Sequence, residues 1–215
     1  EPEKRALREV IRGLKADVLV LQEMGGPAYL DELRRDLKAE GLDYPHGATA
    51  TAADADRHLA VLSRHPLKSV TTHTNLEFTY FGAKEAVKRG LLEATVISAA
   101  GEITIFVLHL KSRCTERKED PLSAIRRGGE ATAIRDRVLR RFPEPAASRF
   151  LIFGDCNESR TGRAVTALQR LLDTVEIGAE SRKASGPGLV RARASHERGQ
   201  IGWVRDQTMA KGPGR

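Results

Sequence analysis

The residues Arg149-Phe150-Leu151-Ile152-Phe153-Gly154-Asp155-Cys156-Asn157-Glu158 constrain the fold more than any other stretch. A run of about five apolar residues closed by a turn signal reads as a strand buried on both faces, inside a covered sheet. Asp155 and Asn157 follow with one residue between them. If the extended geometry persists, side chains two apart point the same way and both face one point in space. A carboxylate and an amide oxygen converging at a sheet edge suit a hard divalent cation or a phosphate. A turn in which Asp155 and Asn157 cap loose backbone groups accounts for the same residues.

The rest of the chain alternates helices and strands. Leu7, Val10, Ile11 and Leu14 form one apolar stripe of an amphipathic helix over residues 3 to 15, with Lys and Arg on the other face. Residues 17–22 read as a buried strand ending at Glu23. A helix then opens at Pro27, turns Leu30, Leu33 and Leu37 inward and stops near Gly41. After a loop rich in Ala, Thr and Asp, residues 57–64 form a short strand, and 72–87 read as irregular. Residues 89–97 and 102–110 make an antiparallel hairpin around Gly101.

A long helix is predicted over 121–142, aligning Leu122, Ile125, Ile134, Val138 and Leu139. Gly128-Gly129 weakens its middle by about 1 kcal/mol per glycine relative to alanine. A further helix spans about 163–172. Beyond Glu180 the pattern gives way to Gly, Pro, Arg, Ser and Lys, and 188–194 and 201–204 are the remaining strand candidates.

The 215 residues are long enough for a sizeable core and are read as a single domain, with its core over 5–175 and a basic tail over 180–215. A formal charge of +7 favours an anionic partner, such as a phosphate-bearing substrate or nucleic acid. Aromatics at 5% leave no stacking platform for single strands. No run of about 18 apolar residues is present, so no transmembrane segment is predicted. Cys114 and Cys156 form no metal-spaced pair and no disulfide framework. The charged first residues carry no secretory signal, which leaves the compartment open.

Three apolar strands thus end in groups that packing does not require: Glu23, His109, and the Asp155/Asn157 pair. Each has a plain alternative, since Glu23 could cap the next helix and a lone histidine is commonly a satisfied core residue. Their common placement at strand ends favours a site.

These residues resemble the endonuclease/exonuclease/phosphatase superfamily, which includes deoxyribonuclease-I-like and sphingomyelinase-like enzymes. The matching segments stand in the family's order: Leu21-Gln22-Glu23, Ala60-Val61-Leu62-Ser63-Arg64, Arg89-Gly90-Leu91-Leu92, His109-Leu110-Lys111-Ser112 and Gly154-Asp155-Cys156-Asn157. The resemblance implies an α+β fold, a two-layer β-sandwich of mixed sheets flanked by helices, or four layers α/β/β/α. It implies a metal-dependent hydrolase of phosphoester bonds, a phosphodiesterase or nuclease. By the same resemblance Glu23 binds Mg2+ (or Mn2+), Asp155 orients the attacking water, Asn157 holds the scissile phosphate and His109 donates a hydrogen bond to a phosphate oxygen.

Two departures stand out. The family begins with an apolar strand ending in an asparagine, whereas this chain starts at the helix that normally follows, so the fold is expected to be incomplete at the N-terminus. The family closes on an Asp-His pair, whereas the nearest candidates here are Asp206-Gln207, with Gln200-Ile201-Gly202-Trp203 just before. Glutamine cannot shuttle a proton. The alternative is a truncated or degenerate non-catalytic member that binds an anionic partner. Oligomeric state and the choice among DNA, RNA, phospholipid and small phosphoesters are left open.

Overall fold

The computed structural model describes residues 2–114, 117–173 and 200–201, with side chains over 2–114 and 117–171. Helix α1 (Pro2–Leu14) leads into β1 (Val18–Met24), and α2 (Pro27–Ala39) into β2 (His46–Ala50) and β3 (His58–Ser63). Next come β4 (Leu67–His73), the pair β5 (Glu77–Tyr80) and β6 (Ala83–Ala86), and the long strands β7 (Leu91–Ser98) and β8 (Gly101–His109). Helix α3 (Ala124–Arg141), β9 (Phe150–Asp155), α4 (Arg163–Asp173) and the two-residue β10 (Gln200–Ile201) complete the described elements.

Two main sheets result, a three-stranded one in the order β1-β3-β2 and a five-stranded one in the order β10-β9-β8-β7-β4. The large sheet is mixed, because β8 and β9 run parallel while its other pairs are antiparallel. The described pairs of the small sheet are antiparallel.

Strand alternation explains the layering. On β3, Ala60 and Leu62 turn towards α1 and α2, packing with Ile11, Leu19, Leu30 and Leu37. Its neighbours Leu59 and Val61 turn the opposite way, into a core shared with Leu92, Ala94, Val96, Ile105 and Val107 of the large sheet. The far face of that sheet presents Leu91, Phe106 and Leu108 to Ile134 and Val138 of α3 and to Val165 and Leu171 of α4. Helices, sheet, sheet, helices: the fold is an α+β sandwich of four layers.

Several expectations need correction. Of the α1 stripe only Ile11 is buried, while Leu7, Val10 and Leu14 are 47%, 62% and 57% exposed. Helix α3 starts three residues later than predicted, because Leu122 and Ser123 take left-handed backbone (φ 60° and 53°). The break leaves Leu122 and Ile125 exposed, and the Asp120 carboxylate accepts the N–H groups of Ile125 and Arg126 at the true start. Strand β9 is half-buried rather than enclosed on both faces. Strand β2 was hidden among small residues, β5 and β6 lie where irregular chain was expected over 72–87, and β4 begins in residues 67–71, to which no element was assigned. Of the basic tail only 200–201 falls within the described residues, so the strand candidate at 188–194 lies outside them.

The two helix glycines have different neighbours. A Cβ on Gly129 would lie 2.3 Å from Cδ2 of Phe78 on β5, whereas one on Gly128 would meet only Cβ of Arg163, at 3.7 Å. Gly129→Ala should therefore cost about 1–3 kcal/mol through overpacking, and Gly128→Ala should gain up to about 1 kcal/mol of helix propensity. Paired urea melts check this; equal midpoints for the two variants would contradict it.

Candidate active site

Strand β1 delivers Glu23 through an irregularity. Its register with β3 shifts between Leu21 and Met24, and Glu23 itself is left-handed (φ 56°). Such a bulge re-aims a side chain, and the Glu23 carboxylate emerges 63% exposed, 3.7 Å from Nε2 of His109 and 4.0 Å from the Arg57 guanidinium. Strand β8 ends at His109, which is 3% exposed, and the parallel register sets it directly beside Asp155 of β9. The two strands are laced one step further, where Leu110 N–H donates to the carbonyl of Asp155 at 2.9 Å.

The chain leaves β9 through a tight turn. Asn157 is left-handed (φ 50°), and its N–H donates to Oδ1 of Asp155 at 2.7 Å. The extended geometry expected to align Asp155 and Asn157 is thus absent, and the capping turn is present. The amide of Asn157 still reaches the same place, because its Nδ2 donates to the Leu110 carbonyl at 3.0 Å. That carbonyl also accepts Nη1 of the buried Arg89 at 2.8 Å. Glu23, His109, Asp155 and Asn157 are therefore brought to one end of the sandwich, by a bulge, a strand end and a turn.

Two residues not assigned to the site from the sequence, Asp54 and Arg89, add to its electrostatics. Asp54 sits in the loop between β2 and β3, accepts the N–H groups of Asp56 and Arg57, and pairs with Nε of Arg89 at 3.2 Å. Burial opposes its charge, but those N–H groups and Arg89 outweigh it and hold its carboxyl below the usual range. Arg89 carried a legible signal, a charged residue entering a strand whose first six residues are buried. Asp54 carried none.

Burial pushes the Asp155 carboxyl upwards; the Asn157 N–H opposes this, and the neighbouring Glu23 charge adds to the rise. Burial, with help from Arg89, drives His109 down to about 4, although Asp54 pulls the other way. The imidazole is therefore neutral at physiological pH. Its buried Nδ1 has no hydrogen-bond partner among the described residues. In metal-free protein the His109 ring resonances should titrate near pH 4; a midpoint near the ordinary value of about 6.5 would contradict the burial-driven shift. Cys156, between the two polar residues, is buried with its thiol pushed up to about 12 by burial and the Asp155 charge, and is not a nucleophile.

Among the described residues no group of three or more His, Cys, Asp and Glu is arranged to hold a metal unaided. A magnesium-type site needs less, because Mg2+ keeps several waters and commonly takes one or two carboxylates plus substrate oxygens. The exposed Glu23 oxygens, close enough to raise the Asp155 carboxyl, fit that pattern.

Solved structures with this fold confirm the architecture. Sphingomyelinase C from Streptomyces griseocarneus superposes with a TM-score of 0.58 at 16% identity, covering 80% of this chain and 62% of that one. The human Nocturnin catalytic domain with bound sulfate anion gives 0.56 at 16% identity, covering 87% of this chain and 69% of that one. A double mutant of beta toxin from Staphylococcus aureus with bound magnesium ions gives 0.56 at 16% identity, covering 79% and 63%. The chain thus spans about three fifths of the length of sphingomyelinase C and of this toxin. Comparison with curated proteins finds no match. A model of the Endonuclease/Exonuclease/phosphatase family matches residues 1–212, nearly the whole chain. The chain belongs to the Endonuclease/Exonuclease/phosphatase family.

Proposed function

We propose that this chain hydrolyses phosphoester bonds, with a phosphodiester as the favoured substrate, nucleic acid among the candidates and a divalent cation as cofactor. The observation that carries this is the convergence of Glu23, His109, Asp155 and Asn157 at one end of the sandwich. The family match and the +7 charge support it.

Each residue has a task in attack by water on phosphorus, in which the new P–O bond forms as the bond to the leaving alcohol oxygen breaks and that oxygen takes a proton from solvent. Asp155 is a fixed base: Oδ1 is occupied by the Asn157 N–H, so Oδ2 orients the water and receives its proton. Its raised affinity for protons strengthens it in that role. His109, neutral, donates from Nε2 to a non-bridging phosphoryl oxygen, and Asn157 offers the second N–H of its amide to another. Glu23 would hold Mg2+ or Mn2+ at the open mouth, where the cation's charge offsets that of the phosphoryl oxygens. Arg89 and Asp54, paired at 3.2 Å, offset part of each other's charge near His109.

The test is hydrolysis of a generic phosphodiester by the purified chain in magnesium or manganese, repeated with Asp155→Ala. Cation-dependent turnover that disappears in the variant is expected. Turnover unchanged in Asp155→Ala would overturn the assignment. Salt-sensitive binding to nucleic acid without turnover would fit a non-catalytic anion-binding member instead.

A further inference from the structure

Arg127 is an arginine only 1% exposed, on α3, that the reaction above does not use. Its Nη2 pairs with Oε1 of Glu158 at 3.2 Å, and Glu158 directly follows Asn157. Its Nη1 donates to the Leu122 carbonyl and reaches those of Lys111 and Ser112, at 3.5 and 3.4 Å. Lys111 lies two residues after His109. One guanidinium thus touches the loop that follows His109 and the loop that carries Asn157.

The neighbouring contacts follow the same plan. Glu130, one turn along α3 and on the same face, accepts the Lys111 N–H at 2.7 Å. Helix α3 therefore engages both the N–H and the carbonyl of Lys111. Glu158 uses its other oxygen to accept the Ala164 N–H at the start of α4, at 3.1 Å. Nε of Arg127 is buried with no hydrogen-bond partner among the described residues, so the charge depends on these Nη contacts, and removing one partner leaves the other unpaired away from water. The planar fork matters, since a lysine could reach one of these loops but not both.

We propose that Arg127 is a positioning residue: it locks the loop after β8 against the loop after β9, and so sets His109 and Asn157 at a fixed spacing across the phosphate. The role rests on the hydrolase assignment above. A misplacement of about 1 Å can cost about a hundredfold in rate, whereas a residue serving stability alone lowers the melting temperature and leaves kcat intact below it.

Arg127→Lys, Arg127→Met and Glu158→Gln should be compared with the full chain, with cation present and well below every melting temperature. Arg127→Lys keeps the charge and loses the fork, so kcat should fall about 10- to 100-fold with KM little changed. Hydrogen exchange should quicken together at the Lys111 and Asn157 amides in Arg127→Lys and in Glu158→Gln, with the Phe106 amide unaffected. Wild-type kcat in folded Arg127→Lys, or faster exchange in one loop alone, would overturn the role. If Arg127→Met does not fold, the other two variants carry the test. If the wild-type chain turns over no phosphodiester, the hydrolase assignment fails by itself, and the exchange pattern still decides whether Arg127 couples the loops.

Discussion

Asp155→Asn should lower phosphodiester turnover by about 10³- to 10⁴-fold, the upper part of the range for loss of a positioned base. Asparagine keeps the shape of the side chain and an oxygen to accept the Asn157 N–H, which Oδ1 of Asp155 accepts at 2.7 Å. The turn after β9 therefore survives, and the deficit is chemical. Asp155→Ala removes the acceptor as well and should cost about a further 1 kcal/mol of stability. Comparing the two separates the carboxylate's chemistry from its service as a cap.

The same variant carries a stability signature of opposite sign. The Asp155 carboxyl is raised in the folded chain, first by burial and then by the Glu23 charge. A carboxyl with a higher folded than unfolded pKa binds protons more readily when folded, so its ionisation destabilises the fold as pH rises through that interval. At neutral pH in a chelator the wild type bears this cost, and Asp155→Asn is relieved of it. The expected outcome is a variant that has lost turnover yet melts at or above the wild-type temperature. A fall of several degrees would show that the Asp155 charge holds the site together instead. Sites that trade stability for activity behave in the expected way.

The sequence disclosed the parts of the fold that bury alternating or continuous apolar residues. The β7–β8 hairpin was legible because both strands bury long runs on the two faces of one sheet. Strand β2 was not, since His46-Gly47-Ala48-Thr49-Ala50 has neither bulk nor alternation and is a strand only because β3 pairs with it. Strand β4 is an edge whose middle faces solvent, so Lys68, Ser69, Thr71 and Thr72 blur the pattern. The α1 stripe misled because helical periodicity identifies an apolar face without saying what covers it. At the candidate site, strand ends pointed to Glu23, His109 and Asp155, but the expected route by which Asn157 joins them was replaced by a left-handed turn. The Asp54–Arg89 pair joins chain segments 35 residues apart, and no local pattern encodes such a partnership.

Gly154→Ala should be the most damaging single substitution on the structural side, at about 4 kcal/mol. Gly154 has φ of +143°, a region that side-chain-bearing residues enter only at a cost of about 1–3 kcal/mol. Space is the second obstacle: an added Cβ would lie 1.9 Å from the Leu108 carbonyl oxygen and 2.8 Å from its carbon. Those are backbone atoms of the paired strand, so no side chain can swing aside, and forced overpacking adds about 1–3 kcal/mol. Relief requires β9 to move away from β8, whose register sets Leu108 opposite Gly154 and His109 opposite Asp155. In a chain of this size each 1 kcal/mol moves the melting temperature by about 2–4 °C, so a fall of about 8–16 °C is expected in thermal melts. Gly128→Ala is the control, because it adds the same methyl group into ordinary contact. A fall of less than about 3 °C in Gly154→Ala would mean that the strands tolerate separation and that their close approach does not set the site. The glycine and the aspartate that follows it are thus bound by one constraint: Asp155 stands beside His109 because nothing but a hydrogen separates Gly154 from the neighbouring strand.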